Sequence, residues 1–296
     1  MGGGSYNFSD WTQTKSARST QSTAQLFAAQ SHAAKNEFIP ANMKGGIRES
    51  RDSVDSPEAT PILVMMDVTG SMTFIPAYMA KVGIGDVMAS ILKHQPVKNP
   101  HVLMGTFADA KGDRYPIQVA QFEADNRIAE QAVQFHLGGG GAGDSESYDY
   151  PWFFAAKQTA TDAWDKRRKK GYLFTFGDEP FPHRVNTRAE LQYHFGAVAD
   201  RDYTSEEMLE MAKERYTVFH VVIEEGARGS TAETARTWKE AMGPNVLFLD
   251  DHTKLAELIT STISFAEGRD MDRILQEAGD GRKSVERAFR MLQEYA

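Results

Sequence analysis

Hydrophobic positions along the chain occur in continuous runs and in helical stripes, and this alternation predicts the secondary structure. Residues 62–67, Ile-Leu-Val-Met-Met-Asp, form an apolar run that ends in a carboxylate. A run without polar alternation is typical of a strand buried on both faces, as in a parallel sheet covered by helices. The segment 73–94 has apolar side chains at helical spacing, and Pro76 falls in its first turn, where proline is tolerated. The sequence therefore predicts a buried strand followed by a core helix.

The same pattern continues through most of the chain. Further strands are predicted at 102–107, 117–122, 172–176, 217–223 and 246–249. Further helices are predicted at 126–135, 152–164, 231–242 and 254–266, with two more between 187 and 215 and an amphipathic tail at 271–295. Strands that alternate with helices of this length indicate an α/β fold, here a doubly wound, mostly parallel sheet flanked by helices.

The first 60 residues differ from the rest, since they are rich in Ser, Thr, Gln, Ala and Asn and poor in Val, Ile and Leu. A short helix is predicted around 20–34, and the charged segment 48–57 is predicted to be a loop. The stretch is either a flexible tail or an arm that docks on the domain or on a partner. Its aromatic residues are numerous for a pure spacer: Tyr6, Phe8, Trp11, Phe27 and Phe38.

These patterns divide the chain into three parts. We predict a partly irregular N-terminal arm at residues 1–60, a main domain at 61–268 and a C-terminal helical extension at 269–296.

Composition and charge narrow the classes of function. The chain has 33 Lys and Arg against 41 Asp and Glu, a formal net charge of −8, which argues against a nucleic-acid-binding protein. It has no cysteine, so disulfides, thiolate metal sites and a cysteine nucleophile are excluded. No apolar stretch of about 18 residues predicts a membrane span. The N-terminus lacks the features of a signal peptide, so we expect a cytoplasmic protein.

Three polar segments are expected to meet at one edge of the sheet. Ligands of such folds bind beyond the carboxyl ends of the parallel strands. Residues 67–71, Asp-Val-Thr-Gly-Ser, directly follow the first strand. The glycine-rich loop 138–143 leads into the polar residues 144–147, and Asp178 directly follows the strand at 172–176.

The spacing of the first segment favours cation binding. Asp67, Thr69 and Ser71 alternate, so their oxygens can point to one side of an extended turn, and Gly70 bends without a Cβ clash. Carboxylate and hydroxyl oxygens are hard ligands that suit Mg²⁺ or Mn²⁺. Because hydroxyls add no charge, a cation held in this way stays under-neutralised and can take a carboxylate from outside.

These residues carry a family resemblance. The segment 67–72, Asp-Val-Thr-Gly-Ser-Met, resembles the first motif of the metal-ion-dependent adhesion site (MIDAS) of von Willebrand factor A (vWA) domains. That motif has the form Asp-x-Ser/Thr-x-Ser after the first strand of the sheet. Asp178, in the run 174–180, resembles the second acidic position of the family. The resemblance covers roughly residues 60–268 and is strongest to stand-alone bacterial and phage members.

The resemblance implies a non-enzymatic, metal-dependent protein-binding module. In such a module Asp67, Thr69, Ser71 and Asp178 hold Mg²⁺, or Mn²⁺ or Ca²⁺, and the ion accepts an acidic side chain from a protein partner. Bacterial members often serve as adaptors for AAA+ ATPases of the MoxR type, which implies a partner of that kind. Neither nucleic acid nor a membrane is an expected partner.

The chain departs from the family at one position. The family usually has a Thr in the middle loop, and none occurs at 138–147. Asp144, Ser145 or Ser147 could take its place, directly or through water. Asp144 is preferred because it is charged and lies at the loop exit.

Other interpretations of the same residues stay open. The segment 67–71 also resembles the Asp-Lys-Thr-Gly-Thr motif of P-type pumps and the wider haloacid-dehalogenase class, in which the Asp is a nucleophile. The chain lacks the Lys of the pump motif, and it also lacks the second Asp of the soluble phosphatases. A phosphatase using Asp67 is therefore less favoured. The glycine-rich loop has Asp144 where a P-loop needs Lys, which disfavours nucleotide binding. A last alternative is an architectural component of a larger assembly with a vestigial metal site.

Overall fold

The computed structural model describes residues 6–138, 140 and 146–290. The strands in these residues are β1 (Arg48–Ser50), β2 (Thr60–Asp67), β3 (Pro100–Phe107), β4 (Ile117–Val119), β5 (Thr159–Thr161), β6 (Gly171–Gly177), β7 (Val185–Asn186), β8 (Tyr203–Thr204), β9 (Tyr216–Ile223) and β10 (Val246–Leu249). The α-helices are α1 (Phe8–Ser19), α2 (Thr23–Leu26), α3 (Phe74–Tyr78), α4 (Ile84–His94), α5 (Arg127–Ala132), α6 (Asp149–Lys157), α7 (Asp162–Arg167), α8 (Arg188–Phe195), α9 (Ser205–Arg215), α10 (Ala232–Met242), α11 (Leu255–Ala266), α12 (Met271–Glu277) and α13 (Arg282–Ala288).

A six-stranded sheet forms the centre of the molecule, in the order β10-β9-β6-β2-β3-β4. All neighbouring strands are parallel except the edge pair β3 and β4. The chain moves from β2 outward to β4, then returns to β6 and moves outward to β10. This is a doubly wound order, and its switch point lies between β2 and β6. The predicted α/β fold with a mostly parallel sheet is therefore confirmed.

Helices cover both faces of the sheet. Every residue of β2 is buried, as its continuous apolar run requires. Ile62, Val64 and Met66 contact one buried cluster, which includes α4, α11, α12, α13 and part of the N-terminal segment. Leu63 and Met65 contact the opposite cluster, which includes α6, α9 and α10. Alternate side chains of one strand thus reach two cores, as expected for a central parallel strand.

Some predicted elements differ from those in the structure. The helix predicted at 152–164 is wrong as a single element, because α6 ends at Lys157 and the chain continues as β5 before α7 begins. The loop predicted at 48–57 is wrong in part, because Arg48–Ser50 forms β1 and pairs in parallel with β5. The strand predicted at 117–122 is regular only over the three residues of β4.

The C-terminal helical tail is also divided. The prediction of one helix at 271–295 is wrong, since α12 ends at Glu277 and α13 begins only at Arg282. Gly279 lies between them with φ of +52°, in the left-handed region that glycine adopts readily. Residues 291–295 lie outside the described part of the chain.

The described part of the N-terminal arm packs on the domain. The short helix predicted around 20–34 is confirmed only in part, because α2 lies within that range but ends at Leu26, and the longer helix α1 precedes it. Trp11 is buried against α4, where a Cβ at Gly85 would lie 1.8 Å from the indole ring. Lys15 Nζ forms an ion pair with Asp86 Oδ2 at 2.7 Å. The arm is thus fixed to the first core helix by an aromatic contact and an ion pair.

One helical segment of the described residues, Gly70–His94, is long and apolar enough to cross a membrane by length and composition. Of its most apolar window, 61% is buried inside the protein. A core helix satisfies the same criterion, so this segment is weak evidence for a membrane span.

Candidate metal centre

The register of the sheet brings the two predicted acidic positions together. Asp67 is the last residue of β2, and β6 runs parallel beside it with Met66 opposite Phe176. Asp178 therefore lies just beyond Asp67 at the same carboxyl edge of the sheet. Both side chains are fully buried. The edge at the switch point carries two carboxylates that solvent does not reach.

The first motif folds back on the end of β2. Asp67 Oδ1 accepts hydrogen bonds from the Thr69 N–H at 2.8 Å and from Thr69 Oγ1 at 2.7 Å. The Gly70 N–H donates to the Gly140 carbonyl at 3.1 Å, so the glycine-rich loop contacts this turn. These bonds hold the Thr69 hydroxyl against the carboxylate of Asp67.

Ser71 connects the first motif to the second acidic position. Its Oγ donates to Asp178 Oδ1 at 3.3 Å. Asp178 Oδ2 accepts from the backbone N–H of Arg228 at 3.3 Å. A Cβ at Gly226 would lie 2.3 Å from the Asp178 Cβ, so the loop after β9 approaches this carboxylate closely. Of the five predicted site residues, the structure brings together Asp67 with Thr69 and Ser71 with Asp178.

The middle loop is described only in part. Asp144, the preferred substitute for the missing Thr, lies outside the described residues, as does Ser145. Ser147 is buried, and its Oγ accepts from the Ala110 N–H at 2.9 Å. The Ser147 hydroxyl is therefore engaged by the loop after β3.

Glu146 is a site residue that the sequence analysis did not select. It is buried, and its side chain forms a hydrogen bond with the side chain of Thr69. Burial raises the pKa of Glu146 to about 7, helped by the nearby charges of Glu179 and Asp109 and opposed by the Thr69 hydrogen bond. Its only signal in the sequence is its place in the polar stretch after the glycines.

Tyr148 is the second residue that the sequence analysis missed. Its side chain is fully buried, and its hydroxyl donates to Asp67 Oδ2 at 3.5 Å. The hydroxyl oxygen of Tyr148 also accepts a hydrogen bond from the backbone N–H of Glu179 at 3.1 Å. An aromatic residue at the start of a helix is typical of the core, so no local signal marked it.

The electrostatics of this edge favour a cation. No ion pair in the described part of the chain involves Asp67 or Asp178, and the guanidinium of Arg228 pairs instead with Glu179 at 2.8 Å and Glu233 at 3.1 Å. Burial raises the pKa of Asp67 well above its usual value, and the charges of Glu146 and Asp178 add to this effect. Buried carboxylates without counter-charge are costly. A hard dication would supply that charge, and the carboxylate and hydroxyl donors fit its preference.

The spacing of the carboxylates limits how such an ion would be held. Direct Mg²⁺ ligands lie at most about 4.2 Å apart, given metal–oxygen bonds of 2.0–2.1 Å. Among the described residues, one trio of His, Asp or Glu has ligand atoms all within 4.8 Å, and it does not include Asp67, Glu146 or Asp178. These three carboxylates could share an ion through bound waters, which Mg²⁺ usually retains.

The compact trio lies farther along the same edge, in the loops after β9 and β10. It consists of Glu225, Asp251 and His252, all at least partly exposed. His252 Nδ1 lies 2.9 Å from Glu225 Oε2, so these two side chains already satisfy each other. Asp251 accepts from the N–H and the hydroxyl of Thr253. This arrangement is a surface His–Glu contact beside a capped turn.

Comparison with known proteins gives distant likenesses only. No protein-family model matches the chain, and no curated protein matches it. The chain is similar to the pilus adhesin SpaC from Lactobacillus rhamnosus GG in an open conformation (TM-score 0.45, 10% identity, 77% of this chain and 31% of the adhesin). A second form of SpaC gives a TM-score of 0.45, 11% identity and coverage of 77% and 32%.

A von Willebrand factor type A protein from Catenulispora acidiphila is also similar, with a TM-score of 0.41, 15% identity and coverage of 72% of this chain and 44% of that protein. The chain thus spans less than half of each of these structures. Its own strand order, with one antiparallel edge strand, decides the fold class. The fold is vWA/Rossmann-like.

Proposed function

We propose that this protein is a metal-dependent protein-binding module with a MIDAS-type site. The observation that carries the proposal is the pair of fully buried carboxylates, Asp67 and Asp178, which lie at adjacent strand ends and form no ion pair with any residue that the structure describes. The hydroxyls of Thr69 and Ser71 donate to these carboxylates and add neutral oxygens to the donor set. When bound, Mg²⁺ (or Mn²⁺ or Ca²⁺) would supply an open coordination position for a carboxylate of the partner.

The chain's own residues have separate roles in this proposal. Asp67 and Asp178 provide the negative charge, while Thr69 and Ser71 orient those carboxylates and offer lone pairs. Glu146 occupies the middle-loop side of the site, where the family has Thr, and would contribute through water. Asp144 remains a proposed contributor that lies outside the described residues.

The proposed partner is a protein that presents an acidic side chain, and an AAA+ ATPase of the MoxR type is the candidate that the family resemblance suggests. We propose binding without turnover, because Asp67 has one oxygen engaged by two donors from Thr69 and is closed to solvent. Such a carboxylate is better suited to holding an ion than to attacking a phosphate.

The test is a calorimetric titration of Mn²⁺ into the wild type, Asp67→Asn and the exposed control Asp55→Asn. We expect the wild type and Asp55→Asn to bind equally, and Asp67→Asn to bind about tenfold or more weakly. Equal Mn²⁺ affinity in Asp67→Asn would refute the metal site.

Partner binding is tested by retention of proteins on immobilised wild type and Asp67→Asn, each in Mg²⁺ and in EDTA. The proposal requires a partner that only the wild type retains, and only in Mg²⁺. Retention that survives both EDTA and the substitution would favour the architectural alternative. Turnover of an aryl phosphate by the wild type, lost in Asp67→Asn, would favour the phosphatase.

A further inference from the structure

We propose that Tyr148 is a positioning residue of the metal centre, which fixes Asp67 and the turn carrying Asp178 relative to each other. This inference rests on the proposed function of the site. It concerns a residue that contacts no cation itself and acts through the two acidic positions.

One oxygen atom of Tyr148 touches both sides of the site. The hydroxyl donates to Asp67 Oδ2 at 3.5 Å and accepts from the Glu179 N–H at 3.1 Å. Glu179 directly follows Asp178, so the second bond fixes the turn that carries this acidic residue. The phenol oxygen therefore joins the end of β2 to the loop after β6.

The ring of Tyr148 is itself held by packing. Its centroid lies 4.9 Å from that of Phe107, 5.2 Å from that of His220 and 5.2 Å from that of Trp238, in edge-on contacts. Trp238 Nε1 also donates to the Glu179 carbonyl at 2.8 Å, so the same turn is held from a second side. Because the ring is enclosed, packing determines where its hydroxyl lies.

Gly177, the last residue of β6, leaves the space that this hydroxyl occupies. A Cβ at Gly177 would lie 2.1 Å from the Tyr148 oxygen, far inside contact distance. Only a residue without a side chain lets the hydroxyl reach both Asp67 and the Glu179 N–H. The close approach of Tyr148 thus depends on Gly177.

The physical role of the hydroxyl follows from the donors around Asp67. Oδ1 takes two hydrogen bonds from Thr69, and Oδ2 takes the one from Tyr148. The orientation of the carboxylate is thereby set at both oxygens. Partners that orient a ligand from outside the coordination shell typically account for about 10–100-fold in metal affinity.

The test compares Tyr148→Phe with Tyr150→Phe in Mn²⁺ titrations. Tyr150 is a matched control, because it lies two residues farther along, in the first turn of α6, is fully buried, and donates its hydroxyl to Glu190 at 2.9 Å, away from the site. We expect Tyr148→Phe to weaken Mn²⁺ binding by about tenfold or more, and Tyr150→Phe to leave it nearly unchanged. The electron paramagnetic resonance spectrum of the bound Mn²⁺ should also change in Tyr148→Phe alone.

A second variant keeps the test independent of the folding of the first. Gly177→Ala should displace the hydroxyl and weaken Mn²⁺ binding to a similar degree. A Cβ at Gly177 would also lie 2.4 Å from a ring carbon of Tyr148, so the substitution displaces the ring together with its hydroxyl. In the double variant Gly177→Ala/Tyr148→Phe, this displacement should add little to the loss in Tyr148→Phe, because the hydroxyl contacts with Asp67 and Glu179 are already gone. Additive losses would show that the two residues act separately and would overturn the proposed mechanism.

The free energy of unfolding in EDTA, where no cation is bound, distinguishes a positioning role of Tyr148 from a purely structural one. If Tyr148→Phe leaves the Mn²⁺ affinity and spectrum of the wild type unchanged while Asp67→Asn abolishes binding, the inference fails and the proposed function stands. The inference also fails if Tyr148→Phe and Tyr150→Phe weaken Mn²⁺ binding equally, in proportion to their loss of stability in EDTA. If the wild type binds no Mn²⁺, the proposed function fails and the inference fails with it.

Discussion

Two histidines of the sheet are fully buried, His101 and His220, and His101 is expected to make the fold sensitive to acid. His101, in β3, is fully buried, with Nδ1 3.1 Å from Ser50 Oγ, and its Nε2 has no partner among the described residues. Burial lowers the pKa of His101 to about 4. The unfolded chain has the ordinary value near 6.5 and therefore takes up a proton first as the pH falls. Stability is retained above about pH 6.5 and is lost as the pH falls from there toward about 4.

The prediction at this residue is a change in pH dependence. Between pH 7 and pH 5 in EDTA, the free energy of unfolding should fall by about 2 kcal/mol on account of His101. His101→Gln keeps a hydrogen-bonding side chain that does not titrate, so its decrease should be smaller by that amount. Urea denaturation at the two pH values measures this, with the exposed His32→Gln as control. If the free energy of unfolding of His101→Gln fell by as much between pH 7 and pH 5 as that of the wild type, the prediction would be contradicted.

The polar residues at the ends of the buried strands were the part of the site that could best be predicted from the sequence. Asp67, Thr69, Ser71 and Asp178 follow buried strands directly, so the local pattern was enough to propose that they share one edge. Tyr148 could not be found in this way, because its proposed role depends on the close approach of its hydroxyl to the backbone of Gly177, in β6. Packing across the sheet, which no local pattern encodes, sets the contacts of such residues.

The first core helix contains an irregular turn where the arm docks. A π-helical turn, Met79–Gly83, separates α3 from α4 within the segment predicted as one helix. Such turns disturb the regular bonding of backbone carbonyls. Arg18 Nη1 donates to the Ala80 carbonyl in this turn at 2.9 Å, and Trp11 covers Gly85 one turn farther on. The arm therefore packs where the helix is least regular.

Trp11→Ala should release this arm without unfolding the sheet. Burial of a tryptophan in a well-packed site is typically worth about 3–5 kcal/mol, so protection of the α1 amides against hydrogen exchange should fall by an amount of this order. Phe8→Ala in the same helix is the control, because Phe8 is 51% exposed. Native-state hydrogen exchange makes the comparison. Unchanged protection of α1 in Trp11→Ala would mean that the ion pair and Arg18 hold the arm alone.

Some elements could not be predicted because their partners lie far along the chain. β1 has a charged sequence that indicates a loop, and it becomes a strand only by pairing with β5, with Arg48 opposite Thr159. Arg51 Nη1 then pairs with Asp162 Oδ1 at 3.0 Å just beyond that pairing. Local propensity was overridden here by contacts more than a hundred residues apart.

At the scale of the whole molecule, the alternation of strands and helices predicted the fold class but not the order of the strands. That order places β2 beside β6 and so creates the edge where the site lies. The candidate centre joins the turn after β2, the residues before α6, the turn after β6 and the loop after β9. These segments are distant in sequence, so a ligand that contacts several of them should stabilise the molecule as a whole.

Cation binding should therefore appear as global thermal stabilisation. A ligand that binds only the folded state at about 100 times its Kd adds about 2.7 kcal/mol to the free energy of unfolding. For a domain of this size that corresponds to a rise in Tm of about 5–10 °C. We expect this rise when Mg²⁺ replaces EDTA in calorimetric scans of the wild type and of Asp55→Asn, and a rise of at most about half that size in Asp67→Asn, because tenfold weaker binding leaves about 1.4 kcal/mol of stabilisation or less. A rise of equal size in Asp67→Asn would place the stabilising ion elsewhere, because the substitution removes one of the two buried charges that the proposed site requires.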